Sequence, residues 1–150
     1  MLEIKKILFP VDFIENSSKI LPYVLSLAEK YDSRIYLLHV VPNIDKWGVH
    51  YLPHPSMKTF QKEAEEGASR AMEELCNERL KGCKNFKRIL TSGDPATEIL
   101  KTIETEEIDL VIMGTHGRKG LEQVIFGSVA ENVVKKATVP VLVVNPHMIP

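Results

Sequence analysis

The sequence predicts an α/β domain: a single doubly wound, five-stranded parallel sheet with helices on both faces. Three observations predict it. Short, near-continuous Val/Ile/Leu runs recur along the chain, as strands covered on both faces require. Segments whose apolar residues repeat with helical spacing separate those runs. The two kinds alternate as β-α-β-α-β-α-β-α-β, an order that implies right-handed crossovers within one sheet. Such sheets bind ligands beyond the carboxyl ends of their strands, where the strand order reverses. The loops after the first and fourth strands are therefore the places to search.

The elements follow in order. The first run is Ile4 to Phe9, ending at Pro10. A helical stripe of Ile20, Leu21, Val24, Leu25, Leu27, Ala28 and Tyr31 comes next, with Pro22 expected in its first turn, where a missing N–H is tolerated. The second run, Arg34 to Val41, is stopped by Pro42. Phe60, Ala64, Ala68, Ala71, Met72, Leu75 and Leu80 form the second stripe. A third, charged run spans Phe86 to Leu90. The third helix has Asp94 as its N-cap and Pro95 at its first position, and it buries Ile99, Leu100 and Ile103. The fourth run, Asp109 to Met113, stops at Gly114. The fourth helix begins at Ser128, where Ser128-Val-Ala-Glu131 reads as a capping box. Val129, Val133, Val134 and Ala137 follow, with Lys135 and Lys136 at the negative helix end. The last run is Val139 to Val144, followed by Asn145-Pro146.

Composition sets limits on function. The 150 residues carry 19 basic and 20 acidic side chains, a formal net charge of -1, with 44% apolar residues. This fits one domain spanning 1–150. Interspersed signs give no electrostatic footprint for nucleic acid. No apolar run approaches the ~18–20 residues of a membrane span, so no membrane partner is expected. The start, Met1-Leu2-Glu3-Ile4-Lys5-Lys6, does not read as a signal peptide, and a cytoplasmic location is expected. Cys76 and Cys83 read as reduced helix-face thiols.

The loop after the first strand reads Pro10-Val11-Asp12-Phe13. No glycine precedes Gly48, so the Gly-x-Gly-x-x-Gly dinucleotide fingerprint is absent where it would have to be. No Gly-x-x-x-x-Gly-Lys-[Ser/Thr] loop exists either. A response-regulator reading lacks its acidic pair, since Asp12 stands alone and Asp94 fits better as a cap. The loop after the fourth strand is denser in signals. Gly114 lets the backbone turn as it leaves the sheet. Gly117 leaves room for amides to approach an anion. Gly127 and Ser128 open a helix whose first amides have no intrahelical partners and sit at the positive dipole end, where a phosphate would bind. His116, Arg118 and Lys119 add donors. Equally, the glycines can be plain turn residues and Ser128 only a cap. Cap and phosphate compete for its hydroxyl, which shifts weight to the amides of Ser128 and Val129.

The spacing Gly114-x2-Gly117-x9-Gly127-Ser128, with Lys6-Ile-Leu-Phe-Pro10-Val-Asp12, Leu38-His39-Val40, Asp109 to Gly114 and Pro140 to Val144, resembles the universal stress protein family across essentially the whole chain. The resemblance implies a Rossmann-like fold of the adenine-nucleotide-binding type, and a member that binds ATP, with or without Mg²⁺. By carry-over, Pro10, Val11 and Asp12 would line the ribose and adenine end. Backbone groups of Val40 would read the adenine edge, and Met113 would pack near the base. Gly114, Thr115, His116, Gly117, Arg118, Lys119 and Gly120 would wrap the phosphates, with Gly127, Ser128 and Val129 completing the cradle. Ala130 departs from the pattern: many members have Ser or Thr there, so one phosphate hydroxyl is missing. Asp12 is assigned to the ribose hydroxyls in preference to a metal-bound water. The resemblance also implies a homodimer through Val139 to Val144; the alternative is an edge strand blunted by Pro140 and Pro146.

Three functions follow: a nucleotide-binding stress-response regulator, a slow ATPase, or an interaction module that uses no nucleotide, with an unknown protein partner. His116 is the one titratable base in the glycine loop, and no acidic pair accompanies it. No catalytic residue and no metal ligand are assigned. Pro53 and Pro55 are expected to break any helix that would align His50 with His54. His39 is expected to be packed and hydrogen-bonded within its strand, and His147 lies near the tail. The Pro42 to Pro55 loop, with Trp47 and Tyr51, reads as a lid or partner surface, or as a loop anchored on the second helix.

Overall fold

The computed structural model describes residues 1–12, 16–43, 54–81, 85–115 and 127–149. The strands are β1 (Lys6–Pro10), β2 (Arg34–Val41), β3 (Phe86–Ser92), β4 (Leu110–Gly114) and β5 (Val141–Val144). The helices are α1 (Asn16–Tyr31), α2 (His54–Arg79), α3 (Pro95–Thr105) and α4 (Ser128–Lys136), and a 3-10 turn follows at Pro146–Met148. The strands form one sheet in the order β3-β2-β1-β4-β5. Every pairing is parallel: Ile7 faces Ile35 on one side and Leu110 on the other. The chain therefore winds outward from β1 through β2 to β3, returns beside β1 as β4, and ends at β5. The order reverses between β1 and β4, and the loops after those two strands flank the reversal, as the sequence predicted.

Side chains alternate across the sheet with period two. Ile7, Phe9, Ile35, Leu37 and Ile112 point to one face and bury Ile20, Leu21 and Val24 of α1 with Met72 and Cys76 of α2. Leu8, Tyr36, Leu38, Val111 and Met113 point to the other and bury Ile99 and Ile103 of α3 with Ala130 and Val133 of α4. Both faces are covered, which is why these strands read as unbroken apolar runs.

Several boundaries differ from the sequence reading. Helix α1 starts at Asn16, so Pro22 lies inside the helix and not in its first turn. Helix α2 starts at His54, so Pro55 falls in a first turn that tolerates it instead of breaking the helix; His50 is outside the described residues. Strand β3 continues to Ser92, and β5 begins only at Val141. Asp94 caps α3 as expected: its Oδ2 accepts from the Thr97 N–H at 3.0 Å and the Thr97 hydroxyl at 2.7 Å. The capping box at Ser128 does not form. Gly127 is the N-cap, without a side-chain bond, and Ser128 is the first helical residue. Glu131 instead accepts from Lys135 at 2.8 Å. Asp109 lies just before β4, and its Oδ2 accepts from the Lys5 and Lys6 amides at 2.9 Å each. Cys76 is a buried free thiol, while Cys83 falls outside the described residues.

Candidate functional site

A cavity of about 530 Å³ opens at the carboxyl ends of β1, β2 and β4, at the strand-order reversal. Its floor and walls bring together Pro10, Val11, Asp12, Val40, Met113, Gly114, Thr115, Gly127, Ser128, Val129 and Ala130. These come from segments far apart in sequence. The remaining residues expected there, His116, Gly117, Arg118, Lys119 and Gly120, lie outside the described residues, as does most of the Pro42 to Pro55 loop.

The Thr115–Gly127 pair closes one side. The Gly127 N–H donates to the Thr115 carbonyl at 2.7 Å, and the Thr115 N–H donates to Val144 at 3.0 Å. A Cβ on Gly127 would stand 2.8 Å from that same Thr115 carbonyl oxygen, so only glycine fits this close backbone approach. Space is softer at Gly114, which has no positive φ and faces only the tip of a side chain. It is the last residue of β4, and a Cβ there would meet Ile20 Cδ1 at 2.6 Å.

Because Gly127 takes the N-cap, the Ser128 hydroxyl is released from capping. The first amides of α4 lack intrahelical acceptors and carry the positive end of the helix dipole into the cavity wall. Thr115 adds a second hydroxyl. It is 7% exposed, and its Oγ1 has no hydrogen-bond partner among the described residues. A buried hydroxyl left unpaired is costly, and such groups call for an explanation.

The lining also carries a carboxylate, Asp12, just after β1. The Asp12 side chain is exposed, and its Oδ1 accepts from the Ser17 hydroxyl at 2.8 Å. His39 Nδ1 donates to the Val11 carbonyl at 2.5 Å, so the expected hydrogen bond of His39 is present. Among the described residues no group of three His, Cys, Asp or Glu side chains is placed to hold a metal.

Sequence reasoning missed Ser17, Ile20, Leu38, His39, Pro42, Pro95 and Ile99 as lining residues. His39 had a usable signal, a polar ring in an otherwise apolar strand beside Val40. Ser17 had one in its distance from Asp12, within reach of a side chain at a helix start. Pro95 and Ile99 carried none, since only the packing of α3 beside β2 brings them in.

The sequence matches the model of the universal stress protein family over residues 3–145. The universal stress protein MJ0577 of Methanocaldococcus jannaschii is 36% identical, over 94% of this chain and 94% of that protein. A second protein of that organism, universal stress protein MJ0531, is 32% identical over 94% of this chain and 82% of its own length. The solved structure of MJ0577 superposes with a TM-score of 0.82 at 34% identity, over 96% of this chain and 97% of that one. A universal stress protein solved in complex with cAMP matches with a TM-score of 0.62 at 15% identity, over 97% of this chain and 99% of that one, a likeness of fold alone. No helix among the described residues is long and apolar enough to cross a membrane.

Proposed function

This chain belongs to the universal stress protein family, and we propose that it is a nucleotide-dependent regulatory member that takes ATP in the cavity at the β1/β4 reversal. The observation that carries the reading is the buried Thr115 hydroxyl, unpartnered among the described residues, in a wall shared with the N-terminus of α4. A phosphate there accepts from that hydroxyl, from Ser128 and from the free helix amides. The glycine segment Gly114 to Gly120, with Arg118 and Lys119, supplies further donors. Asp12, also in the lining, is suited to the ribose hydroxyls. Met113, Val40, Pro95 and Ile99 give the base an apolar slot beside the Val40 backbone. A volume of about 530 Å³ falls within the ~300–1,000 Å³ of small-molecule sites. In this reading Mg²⁺ arrives on the nucleotide phosphates, and the protein's role is binding; efficient hydrolysis would need a group that positions water. The protein acts as a homodimer through β5.

The test is a thermal titration with ATP, ADP, AMP and cAMP, each with Mg²⁺, on the native chain and on Gly117→Val. A ligand that binds only the folded state stabilises it by ~2.7 kcal/mol at a hundred times its dissociation constant. A rise in melting temperature with ATP, lost in the variant, is the expected outcome. No rise at millimolar ATP removes the nucleotide from the account.

A further inference from the structure

We infer that His39 and Ser17 are positioning residues that set the Val11–Asp12 segment before a nucleotide arrives, an inference that rests on the reading of the cavity as an adenine-nucleotide site. The segment carries no glycine to shape it, and four of its polar groups have named partners. The Val11 N–H donates to the Leu38 carbonyl at 2.8 Å. The Val11 carbonyl accepts from His39 Nδ1 at 2.5 Å. The Asp12 N–H reaches Ser17 Oγ at 3.4 Å, and the Ser17 O–H donates to Asp12 Oδ1 at 2.8 Å.

The two side chains act from different elements. His39 comes from β2 and holds the peptide ahead of Asp12. Because a carbonyl can only accept, His39 carries its proton on Nδ1. Ser17 comes from the first turn of α1 and is 7% exposed. Its single O–H goes to the carboxylate, and a lone pair faces the Asp12 amide. Asp12 itself is exposed, and each hydrogen bond to its carboxylate narrows the rotamers it samples. Fixing it beforehand removes an ordering cost from binding, which appears as affinity for whatever Asp12 touches. In the proposed site that group is the ribose diol.

The experiment measures dissociation constants for ATP and for 2′,3′-dideoxy-ATP, which lacks the diol. The proteins are the native chain, His39→Ala, His39→Asn, His39→Gln and Ser17→Ala, with each melting temperature recorded without ligand. The native chain is expected to prefer ATP. Ser17→Ala and His39→Ala weaken ATP by about three- to tenfold, the weight of one net hydrogen bond, and leave the dideoxy analogue unmoved. His39→Asn, whose side-chain amide nitrogen falls where Nδ1 was, restores the native preference. His39→Gln keeps bulk but moves the donor away, so it behaves as His39→Ala does and replaces it if that variant fails to fold. Equal losses for both nucleotides, or an unchanged preference in Ser17→Ala and His39→Gln, overturn the inference and leave the site standing. Equal native affinity for the two nucleotides does the same. A native chain that binds neither removes the site itself.

Discussion

The hydroxyl of Thr115 separates what the fold needs from what the site needs. Buried at 7% exposure, it has no hydrogen-bond partner among the described residues. Thr115→Val keeps the shape and removes the unsatisfied group. Its unfolding free energy is therefore expected to stay level or rise by up to about 1–3 kcal/mol. The same change is expected to weaken ATP about three- to tenfold. Denaturant melts and a nucleotide titration on one sample check both signs, and a stability loss without an affinity loss would sink the assignment. Gly127→Ala should behave differently. Its Cβ would lie 2.8 Å from the Thr115 carbonyl, so backbone must move, at a cost of about 1–3 kcal/mol, and the thermal shift with ATP should vanish. At this scale the sequence was half legible. The Gly-Ser pair announces a helix start, but the sequence alone points to Ser128 as the cap, where the structure has Gly127. Only the bond between Gly127 and Thr115 draws the cap back by a residue and frees that hydroxyl.

Elements were legible where burial is apolar and obscure where it is polar. The strands show as Val/Ile/Leu runs because both sheet faces are covered. The start of α1 was misread because its first buried residue is Ser17, which an apolar stripe beginning at Ile20 cannot reveal. Asp109 shows the same limit. It opens a strand run in the sequence, yet its carboxylate ties the start of β1 to the start of β4 through two backbone amides. Asp109→Ala is expected to cost about 1–3 kcal/mol, since bonds to a charged acceptor outweigh neutral ones and these are partly solvated. The site lies at the other end of the strands, so ATP affinity should hold. Helix α2 offers a pH test. Burial pushes the Cys76 thiol above its ordinary value of 9.0, with Arg88 pulling more weakly the other way. A raised folded pKa means that the unfolded thiol ionises first. The stability tied to the neutral thiol is complete below 9.0 and is lost as pH rises through the folded value. Between about pH 8 and pH 10 the unfolding midpoint of the native chain should fall more steeply than that of Cys76→Ala.

On the scale of the whole molecule, the topology decides which residues meet. The motif spacing located the β1 and β4 loops, but Ile99 and Pro95 enter the cavity only because α3 packs on the face where β1, β2 and β4 lie side by side. The same topology leaves β5 at an edge, with β4 its one strand neighbour among the described residues. An unpaired strand edge is a template for another chain, and proteins usually blunt it with charge. Here β5 reads Val-Leu-Val-Val, with Leu142 39% exposed and no charged residue in the strand. Pairing of two such edges would cover both, and Leu142→Glu would place like charges at the junction. Sedimentation equilibrium is expected to give twice the 17.0 kDa chain mass for the native protein and a single chain for the variant. No residue of β5 lines the cavity, so the monomeric variant should still bind ATP within about twofold, a difference well under 1 kcal/mol. A native protein that sediments as one chain would show that Pro140 and Pro146 suffice to guard the edge. A variant that loses ATP together with its partner would mean that the second chain completes the site.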